Sequence, residues 1–266
     1  MIRLIASDMD GTLLDSRKRM PEGLFDAVRK LKAQGRTFVV ASGRQYFSLR
    51  QDFKEIAGEI VFIAENGALI VENDRQLFLD PIDRDTVLHI LRETRSLDEV
   101  YPVVCCAGGA LVEAGSPQSF IGGVKQYYED TQVVPDLIAA CEKLEDVCKV
   151  AFFDETQAKT RALPALERLL SDRLQVIYSS EQWVDVMKPG VNKGRAMQML
   201  QKMKGVTRAE CMAFGDYLND YELLESVEES YAMKNALDEV KRIARYIAPG
   251  NDENGVLRVL EERFSL

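Results

Sequence analysis

Two aspartates one residue apart, Asp8 and Asp10, follow the apolar run 4–6 and precede Gly11-Thr12. In an extended chain, alternate side chains point to the same side, so the two carboxylates should lie close together. Such like charges repel, and burial strengthens the repulsion. A hard cation such as Mg²⁺ relieves it and prefers oxygen ligands. The pair therefore indicates a metal site, with an Asp-rich turn after a strand as the local alternative.

A hydroxyl and a glycine follow the second apolar run, residues 37–41, as Ser42-Gly43-Arg44, just before a predicted helix. The serine hydroxyl, a backbone N–H and a helix N-terminus can together bind a phosphate. A serine that only caps the helix is the alternative, because it would have the same local sequence.

A lysine and a second acidic group complete the set of candidate residues. Lys193 follows Asn192 at the start of a predicted helix, where a cation is unfavourable against the helix dipole. A nearby anion explains this lysine better than helix stability does, although a solvated lysine is the alternative. Asp216, Asn219 and Asp220 follow another apolar run, 210–214. Carboxylates, a hydroxyl and a lysine at strand ends suit a magnesium ion and a phosphate.

The elements that must position these groups alternate between strand and helix on both sides of an interruption. This pattern predicts an α/β fold, a doubly wound parallel sheet with an inserted α+β domain. Residues 1–82 and 188–266 are assigned to the core and residues 83–187 to the insertion. In such sheets ligands bind outside the carboxyl ends of the strands, so the candidate groups can meet at one edge.

The insertion is predicted to contain its own helices and strands. Helices are expected around 84–96, 135–145 and 157–171, and strands near 100–106, 147–153 and 174–178. Gly108-Gly109 and Gly122-Gly123 are interpreted as turns. Tyr127, Tyr128 and Trp183 are interpreted as core residues, with contacts to a substrate as the alternative.

Composition excludes several classes of function. The chain has 266 residues and a net charge of −9, which argues against nucleic acid or a membrane as partner. The sequence has no apolar run of transmembrane length and no signal-peptide pattern. Its five cysteines have no C-x-x-C spacing. A cytoplasmic protein is therefore expected. A single histidine, His89, leaves no basis for a His-rich zinc site and little for a Ser-His-Asp triad. Neither common nucleotide-binding fingerprint is present.

Asp8-Met9-Asp10-Gly11-Thr12 resembles the D-x-D-G-T signature of the haloacid dehalogenase superfamily. Ser42, Lys193 and Gly215-Asp216-x-x-Asn219-Asp220 resemble its second, third and fourth motifs, in the same order. The segments 41–44, 65–68, 233–236 and 251–256 further resemble the Cof-type sugar-phosphatase branch, which carries a large α/β cap at the position of the insertion. Lys234 departs from this pattern, because many relatives have glycine there.

The resemblance implies a Mg²⁺-dependent phosphatase that hydrolyses small phosphate monoesters, with sugar phosphates expected, through an aspartyl-phosphate. Asp8 would be the nucleophile and Asp10 the general acid and base. The metal would be held by Asp8, the Asp10 backbone carbonyl and Asp216, with Asn219 or Asp220 in support.

Phosphate binding is assigned by the same resemblance to Ser42, the Gly43 N–H and Lys193, the last of which is also counted as catalytic. Arg44 and Asn192 would touch the phosphate or brace the loops, and Asn219 is placed with the phosphate-binding residues.

The expected partner is a small phosphorylated metabolite, for a monomer or small homo-oligomer. A phosphotransferase or phosphomutase and a non-enzymatic phospho-acceptor module are the alternatives. Asp10 argues against the phospho-acceptor, because a long-lived phosphoryl switch needs no general acid.

Overall fold

The protein divides into two compact units, and the computed structural model describes residues 1–128 and 130–266, without the side chains of residues 126 and 127. The core unit comprises Met1–Phe78 and Asn192–Leu266, and the inserted unit comprises Leu79–Val191. The side chain of Tyr127, one of the predicted core residues, lies outside the described residues.

Strands and helices alternate along most of the chain. The strands are β1 (Leu4–Ser7), β2 (Thr37–Ala41), β3 (Val61–Ala64), β4 (Leu69–Glu72), β5 (Arg75–Leu79), β6 (Tyr101–Cys106), β7 (Gly109–Glu113), β8 (Thr131–Val134), β9 (Val147–Phe153), β10 (Gln175–Ser180), β11 (Trp183–Met187), β12 (Cys211–Gly215), β13 (Glu229–Met233) and β14 (Tyr246–Ala248). The α-helices are α1 (Leu24–Ala33), α2 (Tyr46–Asp52), α3 (Arg84–Thr94), α4 (Gln118–Tyr127), α5 (Leu137–Cys141), α6 (Leu163–Leu170), α7 (Lys193–Lys204), α8 (Tyr221–Glu225), α9 (Asp238–Ile243) and α10 (Gly255–Phe264).

The sheet of the core unit has the order β14-β13-β12-β1-β2-β3-β4-β5. Strand β1 lies at its centre and pairs in parallel with both β12 and β2. The pairs β12–β13, β13–β14 and β2–β3 are also parallel, whereas β4 runs antiparallel to β3. The predicted α/β class with a parallel central sheet is confirmed.

Burial on both faces explains why the central strands are almost entirely apolar. All four residues of β1 are buried, as are those of β3, and the sheet is covered by helices such as α1. Helix α1 buries Leu24, Ala27, Val28 and Leu31, which recur every three or four residues on one face. The chain leaves α1 through Gly35, whose φ of 78° is readily adopted by glycine.

The inserted unit is built on a sheet of order β10-β11-β9-β6-β7-β8. One face of this sheet packs against α3, α5 and α6 through residues such as Val104, Val150 and Phe152. The opposite face packs against α4, with Val103 and Ala151 in contact with its apolar side chains. Successive side chains of β6 and β9 point to opposite faces of the sheet, so each strand contributes apolar residues to two cores, one on each side.

The prediction of a turn at Gly122-Gly123 is wrong, because both residues lie inside α4. Phe120, Ile121 and Val124 are buried at helical spacing, and this packing outweighs the low helix propensity of glycine. By contrast, the turn at Gly108-Gly109 does connect β6 to β7.

Two of the aromatic residues singled out in the sequence contribute to packing in the inserted unit. Tyr128 is buried, and its hydroxyl accepts a hydrogen bond from Cys105 Sγ at 3.2 Å. Trp183 packs edge-on against Phe153, with ring centroids 5.1 Å apart. His89 lies half exposed on α3 of the inserted unit, beside Glu93.

The five cysteines are buried, and none of them forms a disulfide with another residue of the described chain. Across residues 1–128 and 130–266, every helix is too short or too polar to cross a membrane.

Gly194 provides a test of how closely α7 and α8 approach. A Cβ added at this position would lie 2.2 Å from the backbone oxygen of Glu222. We expect Gly194→Ala to lower the free energy of unfolding by about 1–3 kcal/mol, because α8 must move to admit the methyl group. Urea denaturation measures this change.

Gly58→Ala is the matched control, since the nearest atom to its added Cβ is 3.8 Å away. Its free energy of unfolding should stay within about 1 kcal/mol of the wild-type value. Equal stability of the Gly194→Ala and Gly58→Ala proteins would contradict the close helix contact.

Candidate active site

Neighbouring parallel strands bring the candidate residues together at one edge of the core sheet. Asp8 follows β1, Ser42 follows β2, and Asp216 follows β12, and these three strands are adjacent. Ser7 is in register with Phe214, and the Asp8 N–H donates to the Phe214 carbonyl at 3.1 Å. The loops after these strands therefore begin at the same level, as expected for the carboxyl edge of a parallel sheet.

Three carboxylates form a compact cluster at this edge. Oxygen atoms of Asp8, Asp216 and Asp220 lie within 4.8 Å of one another. The predicted metal ligands were Asp8, Asp10 and Asp216, so the third side chain of the cluster is Asp220 rather than Asp10. The part assigned to Asp10 was its backbone carbonyl, and that assignment stays a prediction.

Lys193 is fully buried beside this cluster. Its Nζ donates to Asp8 Oδ1 at 2.6 Å and to Asp220 Oδ1 at 2.7 Å. Helix α7 starts at Lys193, and the Asn192 side chain caps it by accepting from the Arg195 N–H at 2.7 Å. The anions beside this lysine are therefore carboxylates, whereas the contact of Asn192 with a phosphate stays a prediction.

The acidic groups are electrostatically crowded. Burial raises the pKa of Asp8 well above its usual value, and the carboxylate of Asp220 adds to the rise while Lys193 opposes it. Burial also raises the pKa of Asp216 to about 6, partly offset by a hydrogen bond from Thr12. For Lys193, burial would lower the pKa, but the two carboxylates outweigh it and raise the pKa. Three carboxylates facing one ammonium leave a deficit of positive charge.

Asp8 is the member of its ion pair that remains within reach of a ligand. Its side chain is 8% exposed, whereas those of Lys193 and Asp220 are 0% exposed. Lys193 binds Oδ1, and no donor among the described residues contacts Oδ2. The oxygen Oδ2 is therefore the one available for attack on a ligand.

The residues after Asp10 position Asp216. Thr12 Oγ1 donates to Asp216 Oδ1 at 2.7 Å. Gly11 has a φ of 84°, and a Cβ there would lie 2.4 Å from Asp216 Oδ2. Only glycine permits this approach, which gives the Gly-Thr pair of the sequence a physical role.

Asp220 organises the loop that carries Asp216. Its Oδ2 accepts hydrogen bonds from the backbone N–H groups of Asp216 and Tyr217, at 3.0 and 3.2 Å. Its Oδ1 binds Lys193, so one carboxylate ties the loop to the start of α7. Asp220 belongs to the carboxylate cluster, whereas the Asn219 side chain donates to Asn66.

Asp10 points to two cations instead of the carboxylate cluster. It accepts from Arg44 Nε and Nη2 at 2.7 and 2.6 Å and from Lys18 Nζ at 2.6 Å. Burial alone would raise the pKa of Asp10, but Arg44 and then Lys18 outweigh it and lower the pKa. Arg44 also pairs with Asp52 at 3.1 Å. Lys18 is exposed but bound to this carboxylate.

Ser42 and Gly43 lie at the end of β2 beside these groups. Ser42 is buried, and its Oγ accepts from the Arg44 N–H at 3.1 Å. The serine does not cap α2, because Gln45 is the cap and accepts from the N–H groups of Phe47 and Ser48. The capping alternative for Ser42 is therefore wrong.

Asn66 contacts two of these loops, and sequence reasoning missed it. Asn219 Nδ2 donates to Asn66 Oδ1 at 3.2 Å. The amide of Asn66 also covers Gly43, where an added Cβ would lie 2.8 Å from its Oδ1. In the sequence analysis, residues 65–68 were identified only by their resemblance to the Cof-type branch, without a role for Asn66. Its place after a third strand that ends at the same edge was the signal that could have identified it.

The segments near residues 235 and 251 support the first loop from outside. Asn235 Nδ2 donates to the Gly11 carbonyl at 2.7 Å, and Asn251 Nδ2 donates to that of Leu14 at 3.0 Å. Lys234, which departs from the pattern of relatives, is exposed and pairs with Glu253 at 3.0 Å. Lys234 therefore faces solvent.

The donor set suits a small divalent cation. Its ligands are carboxylate oxygens from two loops, which a hard ion such as Mg²⁺ prefers. The raised pKa values of Asp8 and Asp216 also indicate that added positive charge would stabilise the ionised site.

Comparison with known proteins identifies related sequences along nearly the whole chain. The model of a family described as haloacid dehalogenase-like hydrolase matches residues 5–260. The chain is similar to 5-amino-6-(5-phospho-D-ribitylamino)uracil phosphatase YbjI of Escherichia coli (strain K12), with 32% identity over 263 residues, 98% of this chain and 96% of that protein. It is 29% identical over 244 residues to the HMP-PP phosphatase of Citrobacter koseri, covering 90% of this chain and 87% of that protein.

A solved structure with a similar fold is SMU.1108c from Streptococcus mutans UA159. The two chains have a TM-score of 0.85 and 28% sequence identity, and the match covers 100% of each.

The raised pKa of Asp216 predicts how the stability of the metal-free protein depends on pH. The folded state binds a proton at Asp216 more tightly than the unfolded state, so stability falls as the pH rises from about 4 through about 6. Asp216→Asn removes this penalty and retains the oxygen that accepts from Thr12. We expect the variant to be more stable than wild type by about 2–3 kcal/mol at about pH 7.5 and equal to it near about pH 4.

Thermal unfolding in EDTA at the two pH values measures the effect. Glu22→Gln, which removes one negative charge from an exposed position, is the control and should leave the melting temperature unchanged at both. A destabilised Asp216→Asn protein at the higher pH would contradict the crowding of the carboxylates.

Proposed function

The chain belongs to the haloacid dehalogenase-like hydrolase family, and from this premise we propose that it hydrolyses phosphate monoesters of small sugars or polyols through an aspartyl-phosphate on Asp8, with Mg²⁺. Its named relatives are phosphatases, and it is accordingly a phosphoric monoester hydrolase. The observation that carries the proposal is the cluster of Asp8, Asp216, Asp220 and Lys193 at adjacent strand ends, with one Asp8 oxygen left for a ligand.

In the first step, Asp8 Oδ2 attacks the phosphorus atom in line with the ester oxygen. The new bond joins the carboxylate to phosphorus, and the bond from phosphorus to the substrate oxygen breaks. Asp10 donates a proton to the departing oxygen, so the alcohol leaves neutral.

In the second step, Asp10 is ionised and removes a proton from a water molecule. The resulting nucleophile attacks phosphorus, the aspartyl-phosphate bond breaks, and Asp8 returns to its carboxylate form as inorganic phosphate leaves. The contacts of Asp10 with Arg44 and Lys18 support this ionised state, because they lower its pKa. Loss of one contact when substrate enters would raise that pKa toward the value that the first step needs.

The remaining residues bind and orient the transferred group. Ser42 Oγ, the Gly43 N–H and the Lys193 ammonium are assigned to the phosphoryl oxygens, where negative charge is spread in the transition state. Asp8, the Asp10 backbone carbonyl and Asp216 are assigned to Mg²⁺, with Asp220 in support. The bound ion would supply positive charge that keeps Asp8 ionised and offsets the charge of the phosphoryl group.

The inserted unit is assigned the role of a cap that selects the substrate's leaving group. The names of the relatives favour a polyol phosphate attached to a pyrimidine as the first compound to test, since the E. coli protein is named for 5-amino-6-(5-phospho-D-ribitylamino)uracil. Sugar phosphates are the broader class predicted from the sequence. The buried, reduced cysteines support a cytoplasmic enzyme, and the acidic net charge argues against nucleic-acid or membrane partners.

A substrate panel tests this function. We expect phosphate release from 5-amino-6-(5-phospho-D-ribitylamino)uracil and from sugar phosphates, ranked by kcat/KM, with HMP-PP included because a relative is named for it. The matched control is Asp8→Asn, which keeps the shape of the side chain but lacks the nucleophile and should lower kcat at least about 1,000-fold.

Activity that persists in pure Asp8→Asn protein would remove Asp8 as the nucleophile. Transfer of the phosphoryl group to a second sugar, without release of phosphate, would identify the phosphotransferase alternative instead. A covalent phosphate that persists for minutes on Asp8 would identify the phospho-acceptor module.

Metal removal tests the assignment of Mg²⁺. We expect EDTA-treated protein to be inactive and millimolar Mg²⁺ to restore activity, because the carboxylate cluster lacks sufficient positive charge. Mg²⁺ should also raise the melting temperature of the wild-type protein, since an ion that binds only the folded state stabilises it. The rise should be smaller in Asp216→Asn. Full activity in metal-free buffer, or an equal rise in both proteins, would reject the metal site.

A further inference from the structure

The segment Glu65–Gly67 adopts an unusual backbone conformation inside the core unit. Three consecutive residues have positive φ values, 50° at Glu65, 52° at Asn66 and 103° at Gly67. Glu65 and Asn66 are also buried. Non-glycine residues seldom adopt this region, and asparagine tolerates it better than most. The surrounding contacts must therefore hold the segment in place.

One set of contacts joins this segment to residues 42–44, the proposed phosphate-binding loop. The Glu65 N–H donates to the Arg44 carbonyl at 3.0 Å, and the Asn66 N–H donates to the Ser42 carbonyl at 3.0 Å. The side chain of Asn66 lies over Gly43 so closely that a Cβ there would be 2.8 Å from Oδ1. The Asn66 side chain thus lies directly against the backbone of Gly43.

A second set of contacts reaches two further loops of the site. Asn66 Oδ1 accepts a hydrogen bond from Asn219 Nδ2 at 3.2 Å, in the loop 216–220 that carries two of the clustered carboxylates. Gly67 packs on the start of α7, where an added Cβ would lie 2.3 Å from the Asn192 carbonyl and 3.1 Å from the Lys193 nitrogen. One three-residue turn therefore touches three of the segments proposed to surround a phosphoryl group, and the loop that follows β1 is the fourth.

We propose that Asn66 is a positioning residue that holds the phosphate-binding loop 42–44 and the carboxylate loop 216–220 at a fixed separation for phosphoryl transfer. The inference rests on the proposed phosphatase function. An uncharged amide suits this place, because a carboxylate would add negative charge beside the crowded site. Errors of about 1 Å in the placement of such groups can cost about 100-fold in rate.

Asn66→Gly tests the proposal, since glycine adopts positive φ without strain and lacks only the bridging side chain. We expect kcat to fall by about 10- to 100-fold while KM changes by less than about 3-fold. This pattern is typical when the variant loses stabilisation of the transition state and binds the substrate as before. The melting temperature should change by less than about 4 °C. Steady-state kinetics on the best substrate of the panel and thermal unfolding give these values.

Asn219→Ala and the double variant test whether the two asparagines act together. If Asn66 acts through the loop of Asn219, the double variant should be no more than about 3-fold slower than the slower single variant. Asn73→Gly is the matched control, because Asn73 is exposed in a turn and has a φ of 53° like Asn66. Its kcat should equal that of the wild type.

Each other outcome overturns the proposal. An unchanged kcat in Asn66→Gly, a rise in KM alone, or fully multiplicative effects in the double variant would each exclude the positioning role. A melting temperature lowered by more than about 10 °C would make Asn66 a determinant of the fold instead. If the wild-type protein has no phosphatase activity, the proposed function is rejected together with the role of Asn66. If the wild type is active and Asn66→Gly is equally active, only the role of Asn66 is rejected.

Discussion

The buried ammonium of Lys193, held between two carboxylates, is the interaction on which the candidate site depends. Without it, Asp8 and Asp220 would face each other as buried like charges, which proteins neutralise by protonation. With it, three carboxylates still face one ammonium, so the site lacks positive charge. Because of this deficit, we expect a cation to bind here. Asp8 lies at the edge of the cluster, where a ligand can reach it.

The sheet supplies this arrangement from segments that are far apart in the chain. Asp8 and Lys193 are 185 residues apart and meet only because β1 lies between β12 and β2, with α7 starting at the same edge. Close backbone approach then brings the acidic loops together, as at Gly11, where a side chain would collide with Asp216. The catalytic geometry is therefore a property of the folded core unit, and local loop sequences cannot produce it alone.

Much of this could be predicted from the sequence, because strand ends, acidic pairs and a lysine at a helix start are local signals. The parallel sheet and the meeting of Asp8 with Lys193 followed from them. Contacts across the site could not be predicted in this way. Lys18 was not identified as a partner of Asp10, since nothing in the local sequence specifies that contact. Helix α4 was missed because tertiary burial outweighs its two glycines, and Asn66 because the local sequence does not reveal which loops its side chain touches.

We propose that the charge-deficient cluster prepares Asp8 to accept a phosphoryl group beside a divalent cation. A crystal structure of the protein with Mg²⁺ and beryllium fluoride, a mimic of a phosphoryl group, is the decisive test. We expect beryllium bonded to Asp8 Oδ2 and one Mg²⁺ at about 2.1 Å from oxygens of Asp8 and Asp216. Beryllium on another residue, or an ion bound away from these carboxylates, would contradict it.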